Sequence, residues 1–238
     1  MSIDGKKVLA VVPARGGSKG IVGKNLRVVG GRSLVGRAAD ICAASAFVDR
    51  AVLSTDSKDI AREGRACGLW VPGLRPAELA NDTAASVDVW RHAWMQAEAA
   101  DAVTYDIGVL LEPTSPMRTP DDVERTIRAM LEAGARAAAT VSRTPAHLSP
   151  HKTLTIDKAG KIGFFLPDGV RVTRRQDIPP LYSRNGICYA AMRQTILSER
   201  TIVEKDCVAV PIERHVANID EPIDLEFAEF LMQARNPE

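Results

Sequence analysis

A glycine-rich, basic loop follows the first apolar run of this chain. Residues 12–26 read VPARGGSKGIVGKNL and place Arg15, Lys19 and Lys24 among four glycines. Glycine-rich backbone lets amide groups approach phosphate oxygens closely, and cationic side chains add favourable charge. We therefore interpret the loop as a cradle for a polyphosphate, with a solvated flexible loop as the alternative.

The spacing in this loop excludes the two commonest nucleotide-binding templates. The glycines at positions 17, 20 and 23 are three residues apart, so the pattern G-x-G-x-x-G is not formed. A Walker A loop would need glycine at position 18 and Ser or Thr at position 25, where the chain has Ser18 and Asn25. A phosphate cradle here must be of another kind.

Alternating strand and helix patterns surround the loop. Strands are predicted at 7–14, 50–56, 69–73, 105–116 (opening into a Pro-rich turn), 137–144, 186–192 and 207–212, and helices at 33–45, 57–68, 86–100, 119–135 and 221–235. Thr119 is the expected N-cap and Pro120 the first residue of its helix. The alternation predicts right-handed βαβ units on a mainly parallel sheet, an α/β fold. In such a sheet ligands bind outside the carboxyl ends of the strands, where the glycine-rich loop lies.

The alternation breaks between about residues 145 and 184. Residues 151–166 predict a hairpin that turns at 158–160, and residues 174–186 form an irregular basic segment.

Composition narrows the class of protein. The chain has 238 residues and a net charge of +1, which gives no indication of a nucleic-acid or membrane partner. No apolar run reaches the roughly 18 residues of a membrane span, and residues 1–15 lack the long apolar core of a signal peptide. We therefore expect a cytoplasmic location. The four cysteines show no C-x-x-C spacing, so we expect them to be reduced and mostly buried.

Seven sequence blocks follow one another along nearly the whole chain. They are PARGGSKGIVGKNL, VLSTDSKDIA, LRPAELANDTAAS, LLEPTSPMRT, RQDIP, NGICYA and NIDEPIDLEFAE. Together they resemble the acylneuraminate cytidylyltransferases, the CMP-sialic acid synthetases. The resemblance implies a Rossmann-like nucleotidyltransferase that uses Mg²⁺ to join CTP to a 2-keto sugar acid, giving a CMP-sugar and pyrophosphate. It also implies a homodimer, with a core of residues 1–144 and 185–238 and a dimerisation insert of residues 145–184.

The resemblance assigns nucleotide-binding roles to the loop. Arg15 and Lys24 would neutralise the phosphates of CTP and serve catalysis. Lys19 lies on the same loop, Ser18 and the loop amides would add donors, and Asn25 would contact the nucleoside.

A second segment, residues 74–86, matches the positions that hold the base in relatives. Arg75, Ala84 and Ser86 are the matching residues. For Asp82 we expect instead a local role, as a cap of the next helix or in an Asx-turn.

The sugar acid is an anion, so its pocket needs further cations. Arg175 and Lys152 match basic positions of the family and lie in the insert, which can reach across a dimer into the partner's site. Asn185 matches a sugar-binding position, although the dipeptide Asn-Gly is also typical of a turn.

One departure from the family pattern concerns the sugar. Glu112 stands where relatives have glutamine, and a carboxylate there would repel an anionic acid unless the sugar carries an amine or Glu112 pairs with Arg118 or another cation. This questions N-acetylneuraminate as the substrate. It leaves open legionaminic, pseudaminic and 3-deoxy-manno-octulosonic acids.

A second departure concerns the metal. Asn218 and Asp220 stand where relatives have two aspartates, and residues two apart on an extended segment share a face. The amide oxygen of Asn218 suits Mg²⁺ less well than a carboxylate, so Asp220 would be the main ligand and a catalytic residue. Asp220 can also cap the last helix. The weakened metal pair keeps open a non-catalytic nucleotide-binding module.

Overall fold

The computed structural model describes residues 3–171, 174–203 and 206–235. Within them, the strands are Val8–Pro13 (β1), Val28–Val29 (β2), Arg32–Ser33 (β3), Arg50–Ser54 (β4), Ile107–Leu110 (β5), Ala137–Arg143 (β6), Leu154–Ile156 (β7), Ile162–Phe164 (β8), Tyr182–Met192 (β9) and Cys207–Pro211 (β10). The α-helices are Leu34–Ala44 (α1), Lys58–Ala66 (α2), Ser86–Asp101 (α3), Pro120–Glu132 (α4) and Pro222–Arg235 (α5). Short 3₁₀ turns lie at Lys24–Leu26, Ala77–Leu79, Ala146–Leu148, Pro150–Lys152, Gly169–Arg171 and Arg175–Asp177, and a π-helical turn at Thr195–Glu199.

A six-stranded sheet forms the centre, in the order β10-β6-β9-β5-β1-β4. Strand β1 runs parallel to β4 and β5, and β10 runs parallel to β6. Strand β9 is antiparallel to both of its neighbours. The predicted α/β fold with a mainly parallel sheet is confirmed.

Helices cover both faces of the sheet, which explains why β1 is apolar at almost every position. Val8 and Val12 belong to a core cluster with buried residues of α1, α2 and α4. Leu9 and Val11 belong to a second cluster, which contains Trp90 and other buried residues of α3.

The start of α4 follows the sequence prediction. The Thr119 side chain accepts a hydrogen bond from the Asp122 amide, and the Asp122 carboxylate accepts one from the Thr119 amide at 2.7 Å. Pro120 is the first helical residue. This capping box fixes the end of the loop that follows β5.

Two predictions of strand position are wrong. Residues 69–73 form no strand, because only Trp70 makes a bridge, to Val52. Strand β9 begins at Tyr182 rather than 186, because its first residues pair with β6 on the far side of a bulge. The short β2–β3 hairpin was not predicted, although Gly30 and Gly31, both at positive φ, supply a turn signal between two apolar runs.

The segment between β6 and β9 leaves the central sheet. It contains the predicted hairpin, formed by β7 and β8, with Gly160 in the turn at positive φ. Ile156, Ile162 and Phe164 of this hairpin are exposed. The division of the chain into a core and a dimerisation insert stays a prediction.

Two further observations bear on the class of protein. No helix in the described ranges is long and apolar enough to cross a bilayer. Cys42 and Cys188 are buried, and burial raises the pKa of both thiols to about 12, as expected for inert core cysteines.

Candidate active site

The glycine-rich loop leaves the carboxyl end of β1 and is held in place by its own residues. Asn25 is buried, and its amide nitrogen donates a hydrogen bond to the Arg15 carbonyl at 2.9 Å. A Cβ atom at Gly20 would lie 2.4 Å from the carbonyl oxygen of Asp220, so only glycine allows this approach. These contacts hold the loop in one conformation, so it is not a flexible, solvated loop.

A small apolar cluster supports the loop from below. We call it the loop-support cluster, and its buried members are Ile21, Val29, Leu34, Met117, Ala217, Ile219 and Ala228. It joins the loop and the start of α1 to the segment before α5 and to α5 itself. The Gly30 amide adds a hydrogen bond to the Glu229 carboxylate at 2.7 Å.

The first pocket opens beside this loop and has a volume of about 250 Å³. It brings together seven of the predicted nucleotide-binding residues, namely Arg15, Ser18, Lys24, Asn25, Arg75, Ala84 and Ser86. Pro13, Leu79, Asn81, Val89, Pro113 and Thr114, which were not predicted, complete its wall together with Asp82 and Glu112. The predicted residue Lys19 lies outside this lining.

Carboxylates balance the cations of the loop. Arg15 and Lys19 both pair with Asp82, at 2.7 and 2.6 Å, and Lys24 pairs with Asp220 at 3.1 Å. Hydrogen bonds from Lys19 and Arg15 lower the pKa of Asp82. The cations are thus collected at one place but neutralised by the protein's own anions.

Asp82 does not have the local role expected for it. The Asx-turn belongs to Asn81, whose side-chain oxygen accepts from the Thr83 amide at 2.9 Å. Helix α3 has Ala85 at its N-cap, without a side-chain cap. The side chain of Asp82 is used for the ion pairs with the loop.

Arg75 contributes hydrogen-bond donors that the described chain leaves unused. The residue is buried, and its Nε and one terminal nitrogen have no hydrogen-bond partner in the described ranges. Its nearest carboxylate, that of Asp56, is 3.9 Å away, and burial lowers the pKa of Arg75. Buried donors without partners are costly, so they are suited to a ligand oxygen in the first pocket.

A second pocket, of about 500 Å³, adjoins the first. Ser86 and Glu112 line both pockets. The rest of its wall consists of Leu110, Ser183, Arg184, Asn185, Gly186, Tyr189, Ile202 and Asn218. A ligand in one pocket would therefore lie next to a ligand in the other.

Asn185 lines the second pocket but uses its amide to hold the backbone. Its oxygen accepts from the Thr140 hydroxyl at 2.7 Å and from the Ile187 amide at 3.1 Å, and its nitrogen donates to the Ser142 hydroxyl at 3.0 Å. These bonds fix the bulge where β9 changes register against β6. The Asn-Gly pair lies within a strand and is not a hairpin turn.

Glu112 stands at the junction of the two pockets. Burial raises its pKa, and repulsion from Asp220 adds to this effect, while Arg118 acts in the opposite direction. Arg118 does not pair with the carboxylate, because its guanidinium donates to the backbone carbonyl of Glu112 at 2.7 Å. The carboxylate of Glu112 thus remains available to a ligand.

Asn218 and Asp220 lie side by side, as their spacing predicted. The amide nitrogen of Asn218 donates to one carboxylate oxygen of Asp220 at 2.8 Å, while the other oxygen faces Lys24. The backbone amide of Asp220 donates to Asp224, and no group of three or more His, Cys, Asp or Glu side chains suited to a metal occurs in the described residues. Asn218 lines the second pocket, and Asp220 lies next to it, so the pair has oxygen atoms that can serve as metal ligands beside this pocket.

Arg175 and Lys152 lie in the segment between β6 and β9, outside the lining of both pockets. The residues of the second pocket that were not predicted are Leu110, Ser183, Arg184, Gly186, Tyr189 and Ile202. Tyr189 lies in the NGICYA block and could have been suspected from it, whereas Ile202 carries no sequence signal.

The sequence profile of the cytidylyltransferase family matches residues 9–236. The chain belongs to the cytidylyltransferase family. The resemblance drawn from the seven blocks is thereby confirmed, and the nucleotidyltransferase class with it.

Named relatives and solved structures agree with this assignment. This cytidylyltransferase is 31% identical over 236 residues to a CMP-N,N'-diacetyllegionaminic acid synthase of Legionella pneumophila, covering 95% of this chain and 97% of the relative. It is 25% identical to an N-acylneuraminate cytidylyltransferase of Escherichia coli O18:K1:H7, covering 97% of this chain and 53% of that longer protein. Its fold is similar to that of a CMP:2-keto-3-deoxy-manno-octonic acid synthetase complexed with CTP, with a TM-score of 0.71, 19% identity and coverage of 97% and 100% of the two chains.

Asp82→Asn is expected to tighten the binding of CTP to this cytidylyltransferase. The carboxylate competes with phosphate for Arg15 and Lys19, and exposed ion pairs are weak, so we expect a roughly two- to fivefold lower Kd. Calorimetric titration of CTP measures the change. Asp59→Asn, which removes an exposed carboxylate paired with Arg62 at 2.9 Å, is the matched control and should leave Kd unchanged. Weaker binding by Asp82→Asn would mean that Asp82 holds the two cations in place for the nucleotide.

Proposed function

We propose that the protein joins CTP to a nonulosonic acid, a nine-carbon 2-keto sugar acid, and releases a CMP-sugar and pyrophosphate. The observation that carries this proposal is the pair of adjoining pockets that share Ser86 and Glu112. CTP in the first pocket and the acid in the second would meet at this junction. The names of the relatives, which act on legionaminic and acylneuraminic acids, support the same reaction.

The reaction needs positioning and charge stabilisation more than covalent catalysis. The anomeric hydroxyl of the acid attacks the α-phosphorus of CTP, the bond between the α-phosphorus and pyrophosphate breaks, and the hydroxyl proton passes to water. Arg15 and Lys24 would offset the negative charge of the phosphates as they exchange Asp82 and Asp220 for the substrate. Arg75 would offer its unused donors to an oxygen of the nucleotide.

The donor set beside Lys24 fits a magnesium ion. Asp220 and Asn218 would hold it through oxygen atoms, and Mg²⁺ commonly keeps water and substrate phosphate as its other ligands. When bound, the ion would neutralise charge on the triphosphate. Lys24 would then turn from Asp220 to the phosphates.

Pyrophosphate release tests the reaction. Purified protein with CTP and Mg²⁺ is offered legionaminic, pseudaminic, N-acetylneuraminic and 3-deoxy-manno-octulosonic acids, and we expect turnover with at least one nine-carbon acid.

Lys24→Ala and Arg15→Ala should each lower that turnover roughly a hundredfold to a thousandfold. Each variant removes a charged contact to the transition state, which is worth about 3–4 kcal/mol. Circular dichroism checks that both variants fold. No release with any acid would leave a nucleotide-binding module without this activity.

We further propose a homodimer in which the insert completes the partner's second pocket. The exposed apolar side chains of the β7–β8 hairpin suit burial against a second copy. Arg184 lines the second pocket of its own chain, whereas Arg175 and Lys152 lie outside both pockets. Across the dimer, Arg175 and Lys152 would add further cations for the anionic acid.

Mixing two inactive variants tests this exchange. A dimer of one Arg175→Ala and one Lys24→Ala subunit would contain one intact site, so random assortment should restore roughly a quarter of wild-type activity. Arg174→Ala, which removes a neighbouring arginine paired with Asp177 at 3.0 Å, is the control and should be active by itself. No recovery after confirmed subunit exchange would place Arg175 and Lys24 in the same chain's site.

Glu112→Gln is expected to shift the preference among acids towards N-acetylneuraminate. Glutamate and glutamine have nearly the same shape, so the change removes a charge and adds two donor hydrogens without repacking the junction. A charged hydrogen bond is worth about 1–3 kcal/mol, and the ratio of kcat/KM values for the different acids should change accordingly. The four acids above are compared at saturating CTP. Identical ratios in both proteins would show that Glu112 takes no part in the choice.

A further inference from the structure

Arg118 is a buried arginine beneath the junction of the two pockets. It is 5% exposed. One of its terminal nitrogens donates to the carbonyl oxygens of Glu112, at 2.7 Å, and Gly186, at 3.2 Å, and its Nε donates to the carbonyl of Ile187. The guanidinium forms no ion pair in the described part of the chain. Its hydrogen bonds therefore join two segments that are 68 or more residues apart in sequence.

A buried cation without a carboxylate partner is expensive. Removal of a charge from water costs several kcal/mol, and carbonyl oxygens offset only part of this. Burial accordingly lowers the pKa of Arg118. A well-packed apolar side chain often stabilises such a position as well or better, so fold stability alone does not explain an arginine here.

The two segments that Arg118 joins are walls of the pockets. Glu112 lines both pockets, and Gly186 lines the second. They approach each other closely, because a Cβ atom at Gly186 would lie 3.1 Å from a carboxylate oxygen of Glu112 and 2.9 Å from the Ser115 hydroxyl. The backbone of Gly186 is at φ +71, where a side chain is also strained.

We propose that Arg118 is a positioning residue that fixes the spacing between the Glu112 segment and the Gly186 bend. This inference rests on the proposed function, because the acid in the second pocket must reach the α-phosphorus of CTP in the first. In-line attack requires the reacting atoms to be about 3–3.5 Å apart, and a misplacement of about 1 Å costs roughly a hundredfold in rate. Only the planar guanidinium offers several donors in a fixed geometry, and a lysine ammonium cannot reproduce it.

Arg118→Lys tests the proposal with the charge retained. We expect kcat at saturating substrates to fall at least about thirtyfold and the KM for the acid to rise, while the Kd for CTP stays within about threefold. Arg91→Lys is the matched control. Arg91 also donates to the backbone carbonyl of a distant segment, that of Leu197 at 3.1 Å, but lines neither pocket, so its variant should keep wild-type kinetics.

Gly186→Ala approaches the same junction from the other side and leaves the guanidinium in place. Gly186→Ala should likewise lower kcat and leave the Kd for CTP nearly unchanged. It replaces Arg118→Lys as the test if that variant does not fold. Folded variants with wild-type kcat and KM for the acid overturn the proposal, even if they melt at lower temperature. A fall in CTP affinity as large as the fall in kcat overturns the proposal too, since Arg118 would then support the first pocket as a whole.

Hydrogen exchange gives a measurement that does not depend on turnover. Amide exchange across residues 182–190 should be faster in Arg118→Lys than in the wild type, and unchanged in Arg91→Lys. A wild-type protein that turns over no acid contradicts the proposed function. Unchanged amide exchange in Arg118→Lys overturns the positioning role of Arg118, whether or not the protein is active.

Discussion

Cationic side chains that lie close together in order to bind anionic substrates repel one another as long as the substrates are absent. The first pocket contains Arg15, Lys24 and Arg75, and the chain as a whole has a net charge of only +1. Asp82 and Asp220 supply the local balance on the exposed side, where ion pairs are weak and easily exchanged. On the buried side, Arg118 donates to backbone carbonyls, whereas Arg75 lies 3.9 Å from Asp56 and keeps donors without partners in the described residues. The site is thus built from cations of two kinds, exchangeable at the surface and fixed beneath it.

One antiparallel strand places the second pocket beside the first. The carboxyl ends of the parallel strands β1, β5 and β6 lie at the same end of the sheet. Because β9 runs in the opposite direction between β5 and β6, its first residues lie at that end too. In the strand register, Arg184 is opposite Val141 and Tyr189 is opposite Leu110. The bulge at Asn185 and Gly186 then turns backbone towards Glu112. A parallel strand in this position would place its last residues at that end of the sheet, and the chain coming from the insert would enter the sheet at the other end of the strands.

The sequence predicts those features that depend on neighbouring residues. Thr119 and Pro120 mark the start of α4 because capping is local, and the glycine-rich loop is placed correctly because β1 is a clear apolar run. The run at 69–73 looks like a strand, yet only Trp70 finds a partner, since pairing depends on a distant edge. Asn185 and Gly186 look like a turn, but tertiary pairing with β6 places them inside a strand.

The site shows the same division between local and distant effects. The residues that the family resemblance assigns to CTP line the first pocket together, because loops at the carboxyl ends of neighbouring parallel strands converge. The pairing of Asp82 with Arg15 and Lys19 joins segments that are more than sixty residues apart, and no local pattern indicates it. Arg118 follows an apolar residue and precedes a helix cap, so nothing in its surroundings in the sequence marks it as a bridge to β9.

The loop-support cluster has a consequence for the order in which the protein matures. The glycine-rich loop is made early, but its apolar underside packs on Ala217, Ile219 and Ala228, and Lys24 donates to the Ile219 carbonyl. Ribosomes add about 5–20 residues per second, so roughly ten to forty seconds separate the synthesis of the loop from that of α5. Throughout that time the loop lacks its support. The phosphate-binding loop can therefore take its final form only after α5 has left the ribosome. An unfinished chain contains the cations of the loop but lacks the apolar contacts that fix their positions.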